Sequence, residues 1–96
     1  MIAVEYMYFT YVLFSMKDRK MYVGYSHDVV HRFMQHRKGQ VEAMKDRQPL
    51  EMIYYEAYLD ETEAKRREKY LKGGNGRATL KIQPSATLRR LGYSCL

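Results

Sequence analysis

Two helical segments and two tyrosines in this sequence could together handle a phosphate ester. The segment after "MYVGYS" (21–26) carries Arg32 and His36 one helical turn apart. On a wheel of 100° per residue they fall together, beside Val29, on the rim of an apolar stripe of Val29, Val30, Phe33 and Met34. A cation there can lie over a sheet while packing holds its stem; the alternative is the solvated edge of an amphipathic helix. The segment "ETEAKRREKYLK" (61–72) puts Glu68 on the inner side of its own wheel, between Ala64 and Leu71. Lys65, Arg66, Arg67, Lys69 and Lys72 occupy most of what remains. An inward carboxylate is costly unless it is paired or binds a metal, so Glu68 is either a rim salt bridge or the acid of a metal-and-phosphate site. Tyr11 lies on one strand, while Tyr22 and Gly24 share a face of the next, which lets phenols converge where glycine leaves backbone open. Hydrolysis of a phosphodiester develops negative charge on phosphate oxygens, and a metal with an arginine stabilises it.

Other motifs carry less. "HDVVH" (27–31) spaces two histidines like a zinc-protease helix, but Asp28 stands where the glutamate is required and no third ligand is evident. "GGNGR" (73–77) could cradle phosphate with backbone N–H groups, although helix termination explains its glycines more simply. No Walker motif, nucleophile elbow, CxxC or dinucleotide fingerprint is present, which removes those enzyme classes. Tyr6, Tyr8, Tyr54, Tyr55 and Tyr58 read as packing residues with a wet tip. With 17 Lys and Arg against 11 Asp and Glu, the net charge of +6 favours a polyanionic partner, nucleic acid before a membrane surface. A single cysteine, Cys95, cannot form an internal disulfide and fits a reducing cytoplasm. No apolar run approaches membrane-spanning length and the start lacks signal-peptide features, so a soluble cytoplasmic protein is expected.

The elements that must position these residues follow from periodicity. At 96 residues the chain is expected to form one domain. "VEYMYFTYVLFS" (4–15) is apolar on both alternating faces, the pattern of a central strand covered on both sides. "MKDRK" (16–20) is a hairpin-length connection to a second strand at 21–25. Ser26 or Asp28 can cap the following helix, which Gly39 ends. A loop with one helical turn (40–49) leads to a third strand at 50–59. Asp60 and Glu63 then form a capping box for a helix that Gly73, Gly74 and Gly76 break. Two short helical pieces, "ATLKI" and "SATLRRLG", close the chain. The expected class is α+β, a small three-stranded antiparallel sheet flanked by helices in the order β-β-α-β-α-(α).

The ordered set Phe9-Thr10-Tyr11, Tyr22-Val23-Gly24, Arg32 with His36, and Glu68 within "EAKRREKYLK" resembles the GIY-YIG endonuclease superfamily over about residues 8–82. The likeness is to its small stand-alone members, similar to the N-terminal nuclease domain of the excision-repair protein UvrC. The resemblance implies a metal-dependent DNA endonuclease, with repair or recombination as its setting. Its cofactor would be one divalent ion, Mg²⁺ or Mn²⁺, held by Glu68. Arg32 would meet the scissile phosphate, Tyr11 or Tyr22 would be the general base, and His36 fills a position often held by His or Tyr. Gly24, Tyr25, Lys65, Arg66, Lys69 and Lys72 would line the substrate path. Tyr25 departs from relatives that carry a lysine or threonine there, and the first motif keeps only its tyrosine. DNA is the expected partner, with RNA the alternative and a protein supplying specificity. A second reading, a non-catalytic nucleic-acid-binding module on the same basic surface, stays open at this point.

Overall fold

A computed structural model describes residues 7–82 and 84–90. Three strands, β1 (Tyr8–Ser15), β2 (Met21–Ser26) and β3 (Leu50–Tyr58), form one antiparallel sheet in the order β2-β1-β3. The helices are α1 (Val29–Arg37), α2 (Glu61–Lys72), α3 (Gly74–Ile82) and α4 (Ser85–Arg90), with a 3₁₀ turn over Glu42–Arg47. The expected α+β order is what the chain adopts. β1 is central and buried from Phe9 to Ser15, because apolar residues on both of its faces need a covering layer on each side. Residues 4–6 of the expected strand, Tyr6 among them, lie outside the described residues, as does Cys95.

Two apolar clusters fill the layers. Val12, Phe14 and Met21 pack with Leu71 of α2 and Leu80 of α3 on one face. On the other, Tyr11, Leu13 and Leu50 pack with Tyr22, Val29, Phe33, Met44 and Met52 beneath α1 and the 3₁₀ turn. An irregularity in the β1–β3 register at Val12/Leu13 pairs Val12 with Tyr54 but Leu13 with Met52. Beyond it Tyr54 joins the α2 face, and alternation carries Glu56 and Tyr58 with it.

Helix ends obey local chemistry. Asp28 accepts the His31 N–H at 3.0 Å, and Asp60 accepts those of Thr62 at 2.8 Å and Glu63 at 3.2 Å. Asp28 is therefore the cap of α1, and Ser26 instead bonds the Asp28 backbone. Gly39, at φ +71°, follows the end of α1 in the left-handed region that glycine tolerates.

Two expectations are corrected. Val30 (72% exposed) and Met34 (45%) are not core residues. The inward arc of α1 spans about 100°, from Arg32 through His36 and Val29 to Phe33. Gly74 and Gly76 do not break a helix either: Gly73 ends α2 and α3 starts at Gly74. A Cβ at Gly76 would stand 2.1 Å from the Tyr70 carbonyl and 2.4 Å from Leu71 Cα, so this glycine lets α3 cross close to α2.

Candidate active site

Tyr11 projects from the central strand beneath α1, and the rotation of that helix brings His36 to meet it. The Tyr11 hydroxyl lies 3.0 Å from His36 Nε2, their rings edge to face at 5.8 Å. Both side chains are buried, each at 4% exposure. His36 Nδ1 is enclosed without a hydrogen-bond partner among the described residues. Burial and the nearby Arg32 cation push the His36 pKa down, which keeps the ring neutral at neutral pH.

Gly24 sits across the strand pair from Tyr11. A Cβ there would lie 2.4 Å from both Cζ and the hydroxyl oxygen of Tyr11, so only glycine lets the phenol occupy this place. Burial pushes the Tyr11 pKa up; Arg32 opposes it by charge and hydrogen bonding, while the Glu68 carboxylate adds to the rise. Arg32 also reaches Gln35 at 3.4 Å. Glu68 comes from α2, on the opposite layer, yet its charge acts on Tyr11 and Tyr25 alike. Its side chain is 24% exposed and pairs with Lys72 at 3.0 Å, the rim salt bridge that the wheel left open. Tyr11, Gly24 and His36 are thus in contact, and the charges of Arg32 and Glu68 act on the same phenol.

Tyr25 stands next to them. Its hydroxyl donates to Glu61 at 2.6 Å, and the Lys65 ammonium lies 5.3 Å from its ring centre. Burial and the Glu61 bond push its pKa to about 12. An open pocket beside the cluster is lined by Tyr25, Ser26, His27, Asp28, His31, Arg32 and Gln35.

Tyr22 is placed elsewhere. Its hydroxyl donates to Asp18 in the β1–β2 connection, and the Arg47 guanidinium lies 5.1 Å from its ring centre. Arg66 faces another flank of α2, in a pocket with Tyr58, Glu63, Arg67 and Tyr70. Lys69 is exposed. Among the described residues no three His, Cys, Asp or Glu side chains gather to hold a metal, and His27 and His31 are exposed. Sequence reasoning missed Glu61 as the partner of Tyr25, and Gln48, whose side-chain amide donates to the His36 carbonyl. Neither had a motif to announce it.

A family model described as the GIY-YIG catalytic domain matches residues 7–81. The chain belongs to the GIY-YIG family. That family is one of nucleases, and its members acting on nucleic acid give the cluster around Tyr11 its context. A UPF0213 protein of Staphylococcus epidermidis RP62A is 33% identical over 76 residues, 78% of this chain and 92% of the relative. Another, from Staphylococcus saprophyticus, is 33% identical over 67 residues, 69% of this chain and 82% of its own length. A third, from Staphylococcus aureus Mu50, reaches 35% over 66 residues, 68% of this chain and 79% of its own. No solved structure matches. No helix among the described residues is long and apolar enough to cross a membrane.

Proposed function

We propose that this GIY-YIG chain is a metal-dependent endonuclease that hydrolyses DNA phosphodiester bonds, with repair or recombination as its setting in the cytoplasm. The observation that supports this reading is the buried Tyr11 phenol, bonded to His36 and acted on by the charges of Arg32 and Glu68. A plain binding surface gains nothing from an acid beside phosphates.

Tyr11 is the general base. Placing the His36 proton on Nε2 leaves a lone pair, rather than a bare N–H, unpaired at Nδ1, and buried orphan N–H groups are the rarer of the two. His36 then donates to the phenol oxygen and the Arg32 charge acts in the same direction, so both favour the phenolate against the burial that opposes it. Arg32 binds the scissile phosphate, and its charge keeps the burial-raised Tyr11 from rising further. Tyr22, held by Asp18, orders the β1–β2 connection. Gly24 keeps the strand open, and Tyr25, Lys65, Lys69 and Lys72 line the approach of the backbone, whereas Arg66, on its other flank of α2, does not.

The donor set suits Mg²⁺ or Mn²⁺. Glu68 offers one half-buried carboxylate, no three His, Cys, Asp or Glu side chains gather among the described residues, and Mg²⁺ is a cation that keeps several waters and takes few carboxylates together with substrate phosphates. When bound, such an ion supplies Lewis-acid stabilisation of phosphate oxygens. Lys72, at the solvent edge, must swing off Glu68 to admit it.

The test is a panel of labelled duplex, single-stranded and branched DNA, with RNA counterparts, incubated with Mg²⁺ or Mn²⁺. Wild type is expected to nick at least one substrate, and Tyr11→Phe, Arg32→Ala and Glu68→Ala to lose the activity while keeping wild-type circular dichroism. Binding without cleavage under every condition would leave a nucleic-acid-binding module instead.

A further inference from the structure

Three residues form one row across the sheet. Thr10 on β1 pairs with Tyr25 on β2 and with Glu56 on β3, so all three face the same layer. Each is tied to α2. The Tyr25 hydroxyl donates to Glu61 at 2.6 Å, the Thr10 hydroxyl to the Ala64 carbonyl at 2.6 Å, and Glu56 accepts from Arg67 at 2.8 and 3.1 Å. The helix positions are 61, 64 and 67. Three residues rise about 4.5 Å along a helix, close to the roughly 4.8 Å between neighbouring strands. The helix therefore steps over the strands in register, one tie per strand.

The ties differ in strength. The Tyr25 tie is exposed, where screening and side-chain freedom weaken it, and the Glu56 tie is a two-bond ion pair between side chains that stay partly open to solvent. Thr10 is fully buried, and its partner is backbone. The Ala64 carbonyl is also the intrahelical acceptor for the Glu68 N–H, by the i−4 rule. The residue beside Tyr11 in the strand thus holds the helical turn that presents Glu68.

We infer that Thr10 is a positioning residue: through the Ala64 carbonyl it fixes where α2 presents Glu68 relative to Tyr11. This rests on the nuclease reading for its catalytic consequence, not for its geometry. It also gives the Thr in Phe9-Thr10-Tyr11 a function that a packing residue would not have.

The experiment compares wild type, Thr10→Val, which keeps the shape and removes the donor, and Thr10→Ser, which restores it. Amide exchange by NMR is expected to speed selectively at Glu68 in Thr10→Val and to recover in Thr10→Ser. Mn²⁺ affinity, read by EPR of the free ion, is expected to fall about 10- to 100-fold in Thr10→Val, the usual cost of losing a group that orients a metal ligand. Cleavage should fall with it, and Thr10→Ser should restore both. Unchanged Glu68 exchange in a folded Thr10→Val protein would overturn the inference, as would an Mn²⁺ affinity equal to wild type. If Thr10→Val does not fold, failure of Thr10→Ser to match the wild-type Glu68 exchange and Mn²⁺ affinity overturns it. A wild type that neither binds Mn²⁺ nor cleaves sinks the nuclease reading and the catalytic role of Thr10 together, with the exchange result alone deciding the structural tie.

Discussion

At the scale of single residues, the account turns on how tightly the Tyr11 phenol is held. Gly24→Ala would drive a methyl to 2.4 Å from the phenol, so the ring must leave its place against His36. We expect nicking to fall by at least about 100-fold, the scale of a lost general base, while stability falls by about 1–3 kcal/mol from overpacking. Single-turnover assays and chemical denaturation measure the two. Burial raises Tyr11 above its ordinary value of 10.0, and a base that titrates above the assay range gains about tenfold in active form per pH unit. The logarithm of the cleavage rate should therefore climb with a slope near +1 between about pH 6 and 9. His36→Ala removes the hydrogen-bond partner of the phenol oxygen, loosens the ring and should lower the rate throughout that range. The sequence pointed to candidate residues here more clearly than to how they meet. Tyr11, Arg32, His36 and Glu68 stand out by type and spacing, whereas the departure of Tyr22 toward Asp18 depends on a short connection whose fold no periodicity encodes.

At the scale of elements, α1 and α3 carry the lessons. Counting apolar residues on the α1 wheel centres the stripe between Phe33 and Val30, because each apolar side chain weighs alike. The fold instead buries His36, with Val29 and Phe33 partly buried beside it, since His36 recovers part of its desolvation cost through the Tyr11 hydrogen bond. Glycine-rich "GGNG" reads as a breaker when only backbone freedom is weighed. Close helix crossing is invisible along the chain. Gly76→Ala should accordingly force α2 and α3 apart, costing about 2 kcal/mol or more and lowering the melting temperature by roughly 8–16 °C. By contrast, β1 was legible as the central strand and Asp60 as a cap, with Asp28 one of two candidates for the other, since double-faced apolar patterning and capping are local signals. The Glu56 network behaves in a defined way with pH. Burial alone would raise its carboxyl, but Arg67, Tyr58 and Tyr54 bond it and pull it below the usual carboxylate value. A depressed folded-state pKa gives stability that is present above the unfolded value of about 4.3 and is lost as pH falls through the folded one. Glu56→Gln should flatten that acid-side loss in a melting series from pH 6 to 3.

At the scale of the whole molecule, a net charge of +6 meets a candidate site to which the proposed function assigns one acid, Glu68. Cations on α2 draw in the polyanion, while Glu68 gives the surface a reason to be more than a binding face. The association constant for DNA should fall linearly with salt on logarithmic axes, with a slope of about −3 or steeper if several phosphates are contacted. Glu68→Gln should bind at least as tightly as wild type, because a negative charge beside phosphate has gone. The most direct measurement is the cleavage rate of Glu68→Gln against wild type on saturating DNA with Mn²⁺, with binding measured on the same samples. The account predicts unimpaired binding with cleavage lost by at least about 100-fold. Cleavage by Glu68→Gln at the wild-type rate would contradict it.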